Sequence, residues 1–228
     1  MITPNKCVLW FRWVIANALG ELFGLGLTLA LAALIFSRLE GRPGAGVVLA
    51  AFALAVASGA LEATVVGLAQ WWAMHPWFPG ITRRAWWLAT LAGALAAYVL
   101  GYLPSTLMSL GEAASQAPVD ETPKGVILLL AAGMGMVAGA VLSFAQWLAM
   151  RKTVASAGWW IPANMLAWLA AMPVIFWGID AAQKVQPLLQ AGLVIAFALL
   201  LAGALVGAIH GAFLVSLAGR TTRTAPAV

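Results

Sequence analysis

The sequence predicts an all-α membrane protein whose six transmembrane helices form three repeated helical hairpins. Three observations lead to this fold class: a composition too apolar for water, six apolar runs of membrane-spanning length, and a motif that returns along the chain. Of the 228 residues, 64% are hydrophobic and only 8% are charged, whereas a soluble domain carries about 25% charged residues. Most of the surface is therefore expected to face lipid.

Six stretches contain the roughly 20 mostly apolar residues that a membrane span needs. They cover 13–36, 44–74, 85–110, 125–150, 159–179 and 188–218. The first run is too long for the apolar core of a signal peptide and contains Asn17 and Glu21, so we interpret it as a span. Residues 1–228 are predicted to form one transmembrane domain that ends in a flexible tail over 220–228.

Basic residues are unequally divided between the two sides of this topology. One side has four: Arg38, Arg42, Lys124 and Lys184. The side that contains both chain ends has eight: Lys6, Arg12, Arg83, Arg84, Arg151, Lys152, Arg220 and Arg223. By the positive-inside rule both termini are predicted to be cytoplasmic. The basic residues form no continuous stripe, so no nucleic-acid partner is predicted.

Tryptophan is concentrated on the same predicted side. Ten of the twelve tryptophans fall at those helix ends: Trp10, Trp13, Trp71, Trp72, Trp77, Trp86, Trp87, Trp147, Trp159 and Trp160. Indoles at a membrane interface place an apolar body in lipid and an N–H among headgroups. A belt this one-sided suggests that this face does something besides lipid anchoring.

An internal repeat with a period of about 74 residues organises the chain. The octet GLAQWWAM at 67–74 returns as SFAQWLAM at 143–150, and more weakly at 207–210. The opening helices match as WVIAN at 13–17, WWLAT at 86–90 and WIPAN at 160–164. The repeats are therefore predicted to be parallel hairpins over 12–74, 85–150 and 159–218, with approximate threefold pseudosymmetry about the membrane normal.

This repeat predicts two rings of polar side chains near the cytoplasmic end of the bundle. The odd helices contribute Asn17, Thr90 and Asn164, and the even helices contribute Gln70, Gln146 and His210. One interpretation is that these side chains cap helix ends and hydrogen-bond between helices. The other is a polar vestibule or ligand site on the axis.

Glu21 and Glu62 are the two acidic residues placed well inside predicted spans. The hairpin geometry sets them at similar depth, about 12 Å inward at 1.5 Å per residue. A charge inside a membrane is costly, and two carboxylates at one depth cannot easily both be ionised. The pair is a hypothetical proton or cation site, and the alternative is a pair of neutral, hydrogen-bonded acids.

No motif for nucleophilic catalysis, phosphate binding or metal binding is present. His210 is the only histidine within a span, His75 lies in a loop, and Cys7 is the only cysteine. The sequence therefore predicts no enzymatic activity, no metal site and no cofactor.

With the Gln-Trp and Trp-x-x-Ala-Asn elements in place, the chain resembles a group of uncharacterised bacterial multi-pass membrane proteins. Those proteins also repeat a small-x-x-Gln-Trp helix end, followed by basic residues and a Trp-rich helix start. The resemblance extends over about residues 12–220 and implies a bacterial cytoplasmic membrane. It carries no activity to this chain.

Two classes of function follow from these features. The first is a non-enzymatic accessory or scaffold subunit, or a binder of lipid, of another hydrophobic ligand or of a partner complex. The alternative is a small proton- or cation-coupled transporter or channel that uses Glu21 and Glu62. The predicted partners are the lipid bilayer and a membrane protein complex or a second copy of the chain.

The charge asymmetry gives a first testable prediction. Reporter domains fused after Arg84, Lys152 or Arg220 are expected to be active in the cytoplasm. Fusions after Arg42 or Lys184 are expected to be active on the opposite side, because fewer basic residues retain those loops inside. Paired phosphatase and fluorescent-protein fusions measure this, and an inverted pattern would refute the orientation.

Overall fold

A computed structural model describes residues 5–39, 44–112 and 122–224, and these residues form six long helices. The helices are α1 (Lys6–Leu39), α2 (Ala45–Met74), α3 (Arg83–Glu112), α4 (Lys124–Met150), α5 (Trp160–Gln183) and α6 (Leu188–Thr224). Each is long and apolar enough to cross a membrane. In the described part of the chain, the predicted all-α fold with six candidate spans is confirmed.

The first and last helices are longer than their predicted spans. Helix α1 begins at Lys6 instead of residue 13, and its added turns are held by protein contacts: Leu9 is buried, and the Trp10 indole donates to the Ala208 carbonyl on α6. Helix α6 continues to Thr224, so residues 220–224 of the predicted tail are helical. Arg42 and residues 225–228 lie outside the described residues.

The six helices close into a ring around one axis. Each helix packs against its neighbours in sequence, and α6 returns to pack against α1. Neighbouring helices are antiparallel, as seen where Gly20 meets Val66 and Gly24 meets Glu62 between α1 and α2. Both chain ends therefore lie at the same end of the ring, here called the termini end, and the opposite end is the distal end.

Glycines allow close approaches between neighbouring helices. A Cβ at Gly203 of α6 would lie 2.6 Å from the Asn17 carbonyl oxygen of α1, and one at Gly139 of α4 would lie 2.6 Å from the Asn164 carbonyl oxygen of α5. Lipid supplies no hydrophobic drive for helix association, so such close packing is what holds membrane helices together. Gly203 thus lies in the α6–α1 contact that closes the ring, and Gly139 lies in the α4–α5 contact.

The larger of the two described apolar clusters lies at the termini end. The connection after α2 contributes buried Phe78 and Ile81, and the connection after α4 contributes buried Val154 and Ala157. A second cluster joins α5 and α6 further along, through Ala167, Ala171, Ile175, Leu199, Ala202 and Val206. The two connections thus fold back over the axis and cover it at the termini end.

Candidate functional site

Three tryptophans meet on the axis at the termini end. Trp13, Trp86 and Trp160 each have 0% exposure. Their ring centroids are 5.8–6.4 Å apart with interplanar angles of 61–76°, the edge-to-face geometry that aromatic rings prefer. Here they are called the tryptophan cluster. Their burial differs from the interfacial position predicted for them, because side chains on the inner face of a closed ring never reach lipid.

The odd-helix polar residues follow the tryptophan cluster by one helical turn. In each case the side chain donates a hydrogen bond to the backbone carbonyl four residues earlier. The bonds run from Asn17 Nδ2 to Trp13 O (2.8 Å), from Thr90 Oγ1 to Trp86 O (2.9 Å) and from Asn164 Nδ2 to Trp160 O (2.8 Å). This leaves the side-chain oxygens free to accept bonds from the even helices.

Two even-helix glutamines use those oxygens. Gln70 donates to Asn17 Oδ1 at 2.9 Å, and Gln146 donates to Thr90 Oγ1 at 3.0 Å. Gln146 also accepts from the Trp160 indole at 2.8 Å. These five residues are buried and link all five helices from α1 to α5. They form the interhelical network that the sequence offered as one interpretation of the polar rings.

The third position of the network is different. His210 on α6 is the third residue predicted for the even-helix ring, and its ring lies 5.0 Å from that of Trp160. Neither His210 nitrogen has a hydrogen-bond partner among the described residues, and the same is true of Asn164 Oδ1. The structure therefore brings all six predicted ring residues to the termini half of the axis but bonds only four of them to a side chain on a neighbouring helix.

A small axial cavity lies beside this network. It has a volume of about 20 Å³, which is room for one water molecule. All six helices line it: Glu21, Glu62, Ala63, Val66, Gln70, Thr90, Ala94, Leu142, Trp168, Val206 and His210. Both predicted acidic residues thus border a single cavity at the axis.

The two glutamates differ in their partners. Glu62 accepts a hydrogen bond from the Tyr98 hydroxyl on α3. Glu21 is 1% exposed, and its Oε2 has no hydrogen-bond partner among the described residues. Glu21 packs against Gly203 of α6, whereas the Glu62 backbone packs against Gly24 of α1. One carboxylate is therefore held by a phenol and the other keeps a free oxygen.

Sequence reasoning missed Tyr98. It is one of two tyrosines in the chain and lies within an apolar stretch of α3. The antiparallel pairing of α2 and α3 sets Gly67 against Thr90 and Gly59 against Tyr98. Extending the predicted hairpin pairing from α1–α2 to α2–α3 would therefore have placed this phenol within one turn of Glu62.

A second, much larger cavity opens at the distal half of the bundle. This distal pocket has a volume of about 730 Å³ and lies between α1, α2 and α3. Its lining residues are Ser37, Val47, Val48, Ala51, Phe52, Ala55, Tyr102, Ser105, Thr106 and Ser109. The Tyr102 ring lies 5.8 Å from that of Tyr98. Tyr102 therefore lies between the distal pocket, which it lines, and Tyr98, which is not part of the described lining.

Fold and site together define a candidate polytopic membrane protein with a buried polar axis and a pocket at one end. Comparison of this chain with known protein families, with curated proteins and with solved structures finds no match.

The network gives a second testable prediction. Gln146→Leu leaves the Trp160 indole N–H without its acceptor in a buried site, which costs about 1–3 kcal/mol for an unpaired group. The melting temperature in detergent is expected to fall by several degrees. Gln190→Leu, at an exposed position of α6, is the matched control and should melt like the wild type. Equal melting of the two variants would contradict the structural weight of the network.

Proposed function

We propose that the protein is a non-enzymatic membrane protein that binds an amphipathic, lipid-like ligand in the distal pocket. The observation that carries this proposal is the pocket itself. Its volume of about 730 Å³ falls within the 300–1,000 Å³ of ordinary ligand sites. A pocket of this size supports the ligand-binding part of the predicted function over a purely structural accessory role.

The two walls of the distal pocket differ in chemistry. Helix α2 supplies an apolar wall with Val47, Val48 and Phe52, whereas Ser105 and Ser109 on α3 supply hydroxyls. No Lys, Arg, Asp or Glu is part of the described lining. An apolar wall opposite a row of hydroxyls suits an acyl chain attached to an uncharged polar group. We therefore assign the ligand to the lipid-like class.

The pocket gives a third testable prediction. Ala51→Trp places an indole in the distal pocket and is expected to abolish ligand binding by filling the space. Binding is measured by native mass spectrometry in detergent with diacylglycerol and with phosphatidylglycerol as probes. Ala53→Trp, two residues away on the exposed face of α2, is the control and should bind like the wild type.

The pocket, the uncharged headgroup and the serine hydroxyls are each tested by a separate result. Retained binding in Ala51→Trp, or equal loss in both variants, would refute the pocket as the site. A preference for phosphatidylglycerol over diacylglycerol would refute the uncharged headgroup. Ser105→Ala combined with Ser109→Ala should weaken diacylglycerol binding several-fold, because two hydroxyl partners are removed.

A second candidate function is proton- or cation-coupled transport. It is favoured by one observation: Glu21 and Glu62 line the same axial cavity. An ionised carboxyl group buried inside a membrane costs several kcal/mol unless it is neutralised. A proton or a cation would neutralise this pair.

Transport gives a fourth testable prediction. Proteoliposomes with a pH-sensitive or cation-sensitive dye are expected to show flux under an imposed gradient. Glu21→Gln and Glu62→Gln should abolish the flux with little change in melting temperature, because glutamine keeps the shape and hydrogen bonds but cannot ionise. Asp180→Asn, at the exposed distal end of α5, should leave flux unchanged. A wild-type protein that moves neither protons nor cations would count against this candidate.

We also propose that the ring consists of three copies of one helical hairpin, in a bacterial cytoplasmic membrane with both termini in the cytoplasm. Support for the repeat comes from the same side-chain-to-backbone bond at Asn17, Thr90 and Asn164. Support for the orientation comes from the basic residues of the termini end. The fusion experiment described above tests the orientation.

A further inference from the structure

We propose that Glu21 and Glu62 form a proton site, not a metal-cation site, that exchanges protons only with the distal pocket. Tyr98 is the entry residue, and the tryptophan cluster closes the opposite end. This inference shares the Glu21–Glu62 pair with the second candidate function but needs no path across the membrane, and it takes as its entrance the side of the distal pocket where Ser105 and Ser109 are exposed.

The axial cavity needs a bound species because its polar lining is incomplete. Glu21 Oε2 and the Trp168 indole nitrogen are buried, border the cavity and have no partner among the described residues. No Lys or Arg is part of the described cavity lining. Two carboxyl groups without a basic partner require positive charge from outside the protein.

The donor set favours a proton over a metal ion. Hard cations such as Mg²⁺ and Ca²⁺ take six to eight oxygen ligands. Around this cavity, Thr90 Oγ1 already accepts from the Gln146 amide at 3.0 Å, and Gln70 Oε1 accepts from the same amide at 3.5 Å. The free oxygens belong to Glu21 and Glu62, and the Trp168 indole offers a hydrogen that a metal ion cannot use. A proton needs no more than one carboxylate oxygen.

The titratable groups around the pair come from four helices. Beside Glu21 on α1 and Glu62 on α2 lie Tyr98 and Tyr102 on α3 and His210 on α6. Helices α4 and α5 face the cavity with Leu142 and Trp168, which do not titrate. The two carboxyl groups and His210 are therefore the groups on the cavity itself that can hold an exchangeable proton.

Access to this site is unequal at the two ends. Toward the termini end, the fully buried tryptophan cluster is backed by Leu9, Met74 and Met150, each 0% exposed. The three indoles and the side chains behind them are fully buried, so the described residues leave no opening to the axis from this end. Toward the distal end, Glu62 and Tyr98 are only partly buried, and Tyr102 borders the distal pocket.

The proton transfer balances through Tyr98. A hydronium ion that enters past Tyr102, the tyrosine that lines the distal pocket, gives a proton to the Tyr98 hydroxyl oxygen while Tyr98 gives its own hydroxyl proton to the ionised Glu62 carboxylate. Water, a neutral phenol and a neutral carboxyl group result. Glu62 and Glu21 then share that proton across the axial cavity. The reverse sequence returns it to the same pocket.

The test uses the single exposed cysteine, Cys7, to fix the orientation of the protein. Wild-type protein tethered through Cys7 in a sealed supported bilayer presents its distal end to the bulk buffer. The double variant Cys7→Ala/Leu188→Cys, tethered at an exposed residue at the distal start of α6, presents its termini end. Infrared difference spectroscopy follows the C=O stretch of protonated carboxyl groups after a step in bulk pH.

In the first orientation the carboxyl band is expected to follow bulk pH, and in the second it is expected to respond at least tenfold more slowly. Glu21→Gln and Glu62→Gln should each reduce the intensity of the carboxyl band. Asp180→Asn should leave unchanged the part of the band that responds slowly in the second orientation. Tyr98→Phe should keep the amplitude and slow the response at least tenfold. Exchanging Na⁺ or K⁺ for choline at constant pH should change nothing.

Equal rates in the two orientations would overturn the one-sided access, and a band that survives both glutamine variants would overturn the site. Loss of the band on adding Na⁺ would replace the proton with a metal cation. The result is separable from the other proposals. A protein that binds no diacylglycerol or shows no transmembrane flux can still show a one-sided carboxyl band, and ligand binding or flux can occur without it.

Discussion

The structure depends on one constraint: a polar side chain inside the bundle can gain a hydrogen-bond partner only from within the protein, because lipid offers none. Gln146 shows how this is met. Its amide accepts from the Trp160 indole of α5 and donates to Thr90 of α3, so one side chain on α4 bonds to both neighbouring helices. Such bonds have direction as well as energy. They fix the rotation of each helix about its own axis, which packing of small apolar residues alone leaves loosely specified.

That network forms only because the helices approach closely. Glycines at 139 and 203 let α4 and α6 lie against the backbones of α5 and α1 at the level of Asn164 and Asn17. A larger residue at either position would push the helices apart and stretch the polar contacts next to it. Close packing and polar bonding therefore support each other at the same level of the ring.

The two ends of the ring differ in what they leave open. At the termini end, the tryptophan cluster and the folded-back connections fill the axis. Beyond that end, the second apolar cluster holds α5 and α6 together, while the distal pocket lies between α1, α2 and α3. The buried carboxyl pair lies between a closed end and an open one, and that asymmetry is the basis of the proposed one-sided proton exchange.

The sequence by itself determined the class, the number of candidate spans and the set of polar residues on the axis, because hydropathy and a short repeat depend only on residue order. It also set Glu21 and Glu62 near one depth, because the α1–α2 hairpin ties their positions together. Only the tertiary structure decided that three tryptophans turn inward, that Tyr98 holds Glu62, and that Glu21 Oε2 and both His210 nitrogens have no hydrogen-bond partner among the described residues. Those outcomes depend on how each helix is rotated within the closed ring, and rotation is set by contacts between helices far apart in sequence, such as α1 with α6.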